Sequence, residues 1–482
     1  MFSAKMLSVI TGMVYTLLIT WNTTKAQYGT WINLFDLMAY FVLLASALPF
    51  WTTRFAARGK EGAVKTGLAS NLIIALISVA LYIPLVSLII SALGISEAYL
   101  ALYLVASVQI IELYLINALE AGLRAERPQT IGYGLLIVEI GKVAFAYVLI
   151  VILQDTLLGA MIGFLIAVSI QTAYYVKLLS HNLNQKIQWS YVKEWLKGST
   201  ANIYYLIGTQ TAAVIFILLF IIGGAVARGN YGAASTIASI ISYSIFLSFA
   251  LYPKLLAESN LKDVTTSLKM VLMFAIPMAA GALAMSDSFL IILEPNQKSY
   301  IEAAPILSLL AVDTLIATIS QFFIWVLFGF ERLDEDAKIP LKQLTKSSIF
   351  KVFTLPYIQA AITLPSTFFI LSNFAFNEPV LAGMYVVIIN MTVRLAMFPV
   401  IYALLLKTVR IRIPWKSIAK YVFASSIMAT ILFVIPHPTR ISTTLGAVAI
   451  GGIVYLALLI AIDKETRALF NFIWRKIRFE VE

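Results

Sequence analysis

Fourteen long apolar runs limit what this chain can fold into. They cover residues 2–20, 31–53, 68–92, 98–118, 131–153, 156–178, 200–222, 232–256, 268–293, 301–329, 347–371, 380–406, 418–435 and 443–462. A helix rises about 1.5 Å per residue, so each run approaches or exceeds the roughly 30 Å of a bilayer's hydrocarbon core. In that setting only helices and closed barrels satisfy their own backbone polar groups. A barrel strand alternates polar and apolar residues; these runs do not alternate. The 482-residue chain is 12% charged, against about 25% in soluble domains, too little to coat a water-facing surface. A soluble enzyme, a disordered protein and a secreted disulfide scaffold are excluded. The expected fold class is an all-α polytopic membrane protein with about 14 transmembrane helices.

The net charge is +11, and its placement matters more than its sum. With the N-terminus in the cytoplasm, 29 of the 35 Lys and Arg fall in cytoplasmic segments and 4 in outer ones. The positive-inside rule then predicts a cell-membrane protein with both termini cytoplasmic. The run from Phe2 to Thr20 has no A-x-A-like cleavage site after it, so it reads as a span rather than a signal peptide. There is no cysteine, and the two histidines, His181 and His437, are far apart in sequence. No catalytic residue, metal site or cofactor is expected, and no nucleic-acid partner. Membrane lipids are the natural surroundings, and a monomer is expected.

An internal repeat divides the chain. At an offset of 203, Tyr28, Gly29, Tyr40, Leu44, Ala47 and Leu48 match Tyr231, Gly232, Tyr243, Leu247, Ala250 and Leu251, and Pro49 and Pro253 fall one position apart. The second and eighth runs become equivalent, which gives a parallel repeat. The division read from this is an N-terminal lobe of helices 1–6 at 1–180 and an interfacial linker at 181–199. A C-terminal lobe of helices 7–12 follows at 200–410, then helices 13–14 with an amphipathic cytoplasmic tail at 411–482. In the linker, Trp189, Tyr191 and Trp195 interleave with Lys193 and Lys197, as in a helix lying in the membrane interface.

Several short motifs carry a resemblance. Ala26-Gln27-Tyr28-Gly29-Thr30-Trp31 resembles the outer loop after the first helix of oligosaccharide flippases. Those are the Wzx-like members of the multidrug/oligosaccharidyl-lipid/polysaccharide exporter superfamily. Arg54-Phe55-Ala56-Ala57-Arg58-Gly59 resembles the basic end of that family's helix 2. Gly122-Leu123-Arg124-Ala125-Glu126-Arg127 resembles its loop after helix 4. Tyr300-Ile301-Glu302-Ala303-Ala304 and Gly329-Phe330-Glu331-Arg332 resemble the two ends of its helix 10. The resemblance runs over residues 5 to 460. It implies two six-helix lobes around a central cavity and alternating access. The implied cargo is a polyprenyl (di)phosphate-linked oligosaccharide, moved from the cytoplasmic to the outer leaflet. One departure is a short basic start, Lys5 alone, which puts an N-terminal contact to the phosphates in doubt.

A charge at mid-membrane costs at least about 2.5–3.5 kcal/mol on insertion scales, so each needs a reason. Asp36, Glu112, Glu139, Lys142, Asp313 and Arg394 lie within the runs. Glu139 and Lys142 are three apart on one helix and can neutralise each other or take part in transport. Arg394 needs a partner from another helix, a carbonyl or the substrate; Asp313 is the structural alternative. Asp36, near an outer end, either faces outer water or couples an ion. Glu112 and Asp313 each lie thirteen residues after a tyrosine, Tyr99 and Tyr300, at matching depth in the two halves.

A phosphate-bearing substrate wants Lys or Arg. The candidates are Arg54, Arg58, Arg124 and Lys254 at the cytoplasmic mouth, with Lys142 and Arg394 inside; the mouth residues also fit as plain positive-inside charges. Glu112, Glu139, Asp313 and Asp36 are the candidates for coupling H⁺ or Na⁺. Their excess over internal bases favours the alternative function, an H⁺- or Na⁺-coupled exporter of cationic drugs or small solutes. Asp334, Glu335 and Asp336 are adjacent in the longest loop and read as a solvated turn rather than a metal site. No P-loop pattern appears, so ATP drive within the chain is not expected.

Because the chain has no cysteine, single cysteines report topology without background. Glu97→Cys, Asp155→Cys, Asn377→Cys and Thr439→Cys should react with an impermeant thiol reagent from outside intact cells. Lys60→Cys, Glu126→Cys, Ser190→Cys and Arg412→Cys should not. Two consecutive positions with reversed access would overturn the arrangement.

Overall fold

The structure is a computed structural model that describes residues 2–248, 261–294, 299–330, 347–409 and 411–468. Those residues form helices, short 3-10 turns and connecting loops, with no strand among them. The protein is an α-helical, multi-pass membrane protein. Eleven described helices are long and apolar enough to cross a bilayer, or twelve when the bent pair Lys25–Phe41 and Leu43–Ala57 counts as one span. Phe2–Thr20 carries a shorter apolar stretch, Leu7–Thr20. Thr200–Ser242 has 43 residues, about 65 Å at helical rise and roughly twice one crossing. It is interrupted at Gly224, whose φ of 83° and ψ of 170° belong to a region essentially closed to residues with a Cβ.

The chain packs as two compact units. Among described residues, one holds 2–229 and 353–379, and the other holds 230–248, 261–294, 299–330, 347–352, 380–409 and 411–468. In the first unit Pro128–Leu153 packs along Thr156–Leu178, and Phe2–Thr20 lies against Pro128–Leu153. Leu100–Glu126 packs against Ala63–Ala92 and Thr156–Leu178. In the second, Leu261–Ala284 packs against Ala304–Phe330 and Trp415–Val434, and the latter against Ile441–Ile462.

The bent span shows how sequence makes a break and how neighbours satisfy it. Lys25–Phe41 starts on a capping box in which Thr24 and Gln27 exchange side-chain and backbone hydrogen bonds. After Phe41 the chain tightens into the 3-10 turn Leu43–Ser46, then restarts at Pro49 as Pro49–Ala57, a bend of 57°. Pro49 has no N–H, so the carbonyl four residues earlier, Ala45, loses its helical donor. Asn71 Nδ2 donates to it at 3.1 Å. Tyr114 Oη donates to Phe41 O at 3.0 Å and Ser199 Oγ to Ala47 O at 3.1 Å. Three carbonyls around the break thus find side-chain donors, as a water-free setting demands.

The second unit has a counterpart. Thr200–Ser242 runs into a 3-10 turn, Tyr243–Ser248, and the repeat offset pairs Tyr243 with Tyr40 at the first break. Ser244 and Ser248 hydroxyls donate back to Ile241 O and Ile245 O there. The matched residues Ala250, Leu251 and Pro253 lie outside the described residues.

Within 181–199, residues Trp189–Gly198 form a short helix. Trp195 is fully buried against Phe55, with ring centroids 5.4 Å apart, while Trp189 is exposed. Near the C-terminal end, Lys420 Nζ sits 2.9 Å from Asp463 Oδ1, and the Thr466 N–H and hydroxyl donate to Asp463 Oδ2. Burial alone would raise the Asp463 carboxyl, but these hydrogen bonds and the Lys420 charge hold it below the usual carboxylate range. Of the expected tail, residues beyond 468 lie outside the described residues.

Asn71→Ala should remove the donor to Ala45 O, together with the bond from the same amide to Tyr114 O, and cost about 1–3 kcal/mol. Tyr114→Phe should cost less, about 1 kcal/mol, because it removes one hydroxyl. Thermal unfolding in detergent measures both. Equal, negligible shifts would show that the break does not depend on these donors.

Candidate functional site

The four acidic candidates lie in described helices, and the structure gives each different surroundings. In the first unit Glu139 is 2.6 Å from Lys142 Nζ, one turn along Pro128–Leu153. Ser8 Oγ donates to its Oε1 at 3.0 Å, and Thr11 Oγ1 donates to its Oε2. Both hydroxyls come from Phe2–Thr20. Lys142 Nζ also lies 5.7 Å from the centre of the Tyr15 ring. The carboxylate and ammonium are therefore enclosed by two hydroxyls and an aromatic face.

Asp36 meets a cation that lies between two of the apolar runs, 200–222 and 232–256. Arg228 is buried inside Thr200–Ser242, and its Nε and Nη2 donate to the two Asp36 oxygens at 2.7 and 2.9 Å. This two-pronged geometry is the strong form of a carboxylate–guanidinium pair. The backbones beneath it touch. A Cβ on Gly29 would fall 1.8 Å from Ala225 O, and one on Gly229 would fall 2.2 Å from Lys25 O. Only glycine lets Lys25–Phe41 and the arm after Gly224 approach this closely. The clue in the sequence is the repeat, in which Arg228 takes the place of Lys25.

Glu112, on Leu100–Glu126, accepts a 2.7 Å hydrogen bond from Ser169 Oγ on Thr156–Leu178. It has no cationic partner among the described residues. In the second unit, Asp313 on Ala304–Phe330 accepts from Arg394 Nη1 at 2.6 Å, and the same nitrogen lies 3.3 Å from Asp313 O. Of the alternatives left open for Arg394, the structure shows the acid on another helix, Pro379–Thr408. Its side chain stays 28% exposed, while that of Asp313 is 7% exposed.

The cytoplasmic candidates that the structure describes each have their own surroundings. Arg54 stacks over the Phe50 ring at 4.5 Å, and Arg58 caps Pro49–Ala57 and is exposed. Arg124 pairs with Glu120 one turn away at 3.1 Å and is mostly exposed, an arrangement worth little energetically. Lys254 lies outside the described residues, as do Asp334, Glu335 and Asp336. Among the described residues no group of three or more metal-ligating side chains occurs.

No family profile matches the sequence, and no curated protein matches it. Solved structures do match. "Lipid II flippase MurJ, inward closed conformation" aligns with a TM-score of 0.63 at 17% identity, over 96% of this chain and 98% of that one. The chain shares its fold with MurJ. An inward-facing multidrug resistance MATE family transporter of the MOP superfamily aligns with a TM-score of 0.58 at 11% identity, over 82% of this chain and 96% of that one. A MATE P26A mutant gives 0.55 at 14%, over 83% and 94%. The MurJ and MATE alignments thus differ in how much of this chain they take in.

The Arg394–Asp313 pair yields a stability test. Arg394→Ala strands a buried carboxylate and should cost toward the lower end of about 3–5 kcal/mol, given the partial exposure of the arginine. Adding Asp313→Ala should restore most of it. Melting temperatures of the single and double variants decide; an unchanged melting temperature in Arg394→Ala would remove the strut.

Proposed function

We propose that this protein is a flippase for a polyprenyl (di)phosphate-linked oligosaccharide, moving it from the cytoplasmic to the outer leaflet by alternating access coupled to an ion. The observation that carries this reading is the extent of the MurJ likeness. It takes in 96% of this chain, whereas the MATE transporters account for 82–83%. MurJ is a lipid II flippase, and the ordered sequence motifs resemble oligosaccharide flippases. The reading includes fourteen crossings in two six-helix lobes plus two C-terminal helices, with both termini in the cytoplasm of the cell membrane. Phe2–Thr20 and the two arms of Thr200–Ser242 then count as separate spans beside the bent pair.

In this reading Arg54, Arg58, Arg124 and Lys254 attract the lipid phosphate at the cytoplasmic mouth. Arg394 takes it up inside. Only its Nη1 is engaged by Asp313, so Nε and Nη2 remain to fork onto phosphate oxygens. Lys142 is held by Glu139 and contributes through that pair. Coupling falls to the set Asp36, Glu112, Glu139 and Asp313. Three of these are neutralised by Arg228, Lys142 and Arg394. Arg228 brings the internal bases to three against four acids, which halves the acidic excess that favoured a cationic-drug exporter.

Reconstitution into vesicles tests the class. A labelled polyprenyl diphosphate-linked oligosaccharide placed in one leaflet should become accessible to a glycosidase on the other side without ATP. Arg394→Lys should keep only part of that rate, since an ammonium cannot fork. Transport of a cationic dye with no movement of the sugar lipid would favour the drug exporter instead.

A further inference from the structure

Of the four acidic candidates, three have a cation within 2.7 Å; Glu112 has a serine. Its side chain is buried, and Oε2 is fully enclosed with no hydrogen-bond partner. Three residues earlier on the same helix, and so on the same face, Gln109 Oε1 is likewise buried without a donor. Two enclosed acceptor oxygens on one helix face, each without a donor among the described residues, are an arrangement that folded proteins rarely leave standing.

We propose that Glu112 is the group that takes up and releases the coupling proton, with Oε2 as the atom protonated. The O–H is the only bond formed on uptake and broken on release. A proton there cancels a buried charge that has no counter-ion. It also turns Oε2 into a donor on the face that carries the unsatisfied Gln109 oxygen. Ser169 serves both states, because a hydroxyl donates to the carboxylate and can rotate to accept from the acid. Hard cations such as Ca²⁺ and Mg²⁺ take shells of about six or more oxygens, and Glu112 has one hydroxyl within hydrogen-bond distance.

The charged groups on the packed elements are committed elsewhere or sit at helix ends. Lys142 is held by Glu139, Asp36 by Arg228, and Arg124 by Glu120. Lys65 opens Ala63–Ala92, Lys25 opens Lys25–Phe41, and Glu97 opens the 3-10 turn Glu97–Tyr99. Arg54 and Lys177 are in the last turns of Pro49–Ala57 and Thr156–Leu178, and Glu126 closes Leu100–Glu126. Glu112 is about 18 Å along its own helix from Arg124. The nearby tyrosine hydroxyls are also engaged: Tyr82 donates to Tyr103 O, Tyr114 to Phe41 O and Tyr175 to Ile131 O, while Tyr103 accepts from Asn33.

The proton site stands on this geometry, and its coupling role rests on the transport reading above, so the test has two parts. Infrared difference spectra of the purified full chain, titrated from acid to alkaline pH, should show a protonated-carboxyl band that disappears on alkalinisation. Glu112→Gln should abolish that band. Ser169→Ala should keep it at a shifted frequency, and replacing K⁺ with Na⁺ should leave the titration unchanged. A band that survives Glu112→Gln, or a titration displaced by Na⁺, would overturn the assignment. In vesicles, a pH gradient should change the rate of sugar-lipid movement by the wild type and not by Glu112→Gln. If the wild type moves no sugar lipid while the band still depends on Glu112, the transport reading fails and the proton site stands. If Glu112→Gln keeps the full gradient response, the coupling role fails and the transport reading stands.

Discussion

A polar group in hydrocarbon has no water to fall back on, and the architecture depends on how each such group is answered. Breaking a helix frees carbonyls, and the bent span is tolerable because Asn71, Tyr114 and Ser199 reach its three exposed carbonyls from neighbouring segments. Charges follow the same rule at a higher stake. Arg228 grips both oxygens of Asp36, Lys142 lies against Glu139 beneath two hydroxyls, and Arg394 reaches across to Asp313. Removing one member of such a pair costs more than the pair contributes, because it leaves the other charge stranded.

This gives the ionisable groups separate roles. Charges paired between helices are struts: they fix which helix faces meet, as Asp36 and Arg228 do above the Gly29 and Gly229 contacts. Glu112 differs because a neutral hydroxyl is its partner. Arg394 is both anchored and available, with one nitrogen on Asp313 and more than a quarter of its side chain exposed. In the proposed reading, a strut that keeps free donors suits a phosphate that has already passed the mouth.

Much of this was legible in the sequence. Long apolar runs fix helices because nothing else spans, so the all-α class followed from composition and run length alone. The Glu139–Lys142 pair was readable from helical spacing, and Asp313 was open as a partner for Arg394 because each charge needed an opposite. The short helix Trp189–Gly198 was marked by its interleaved Trp and Lys. Other features left weaker traces. Arg228 resembled a loop residue because a basic group beside glycines normally marks a membrane edge, and its partner is 192 residues away. Ser8, Thr11 and Ser169 gave no signal, since isolated hydroxyls in apolar helices bond to their own backbone as a rule. The bend near Pro49 was hinted at by the proline, but the donors that make it tolerable come from distant helices.

The central claim is that these charges serve a lipid carrying a phosphate-linked sugar. Native mass spectrometry of the protein purified from its own membranes is the most direct measurement. The account predicts a bound lipid whose mass fits a polyprenyl (di)phosphate bearing a glycan, displaced by added polyprenyl diphosphate and unaffected by a cationic dye. A protein that carries no such lipid, fails to bind polyprenyl diphosphate and retains the cationic dye would contradict it.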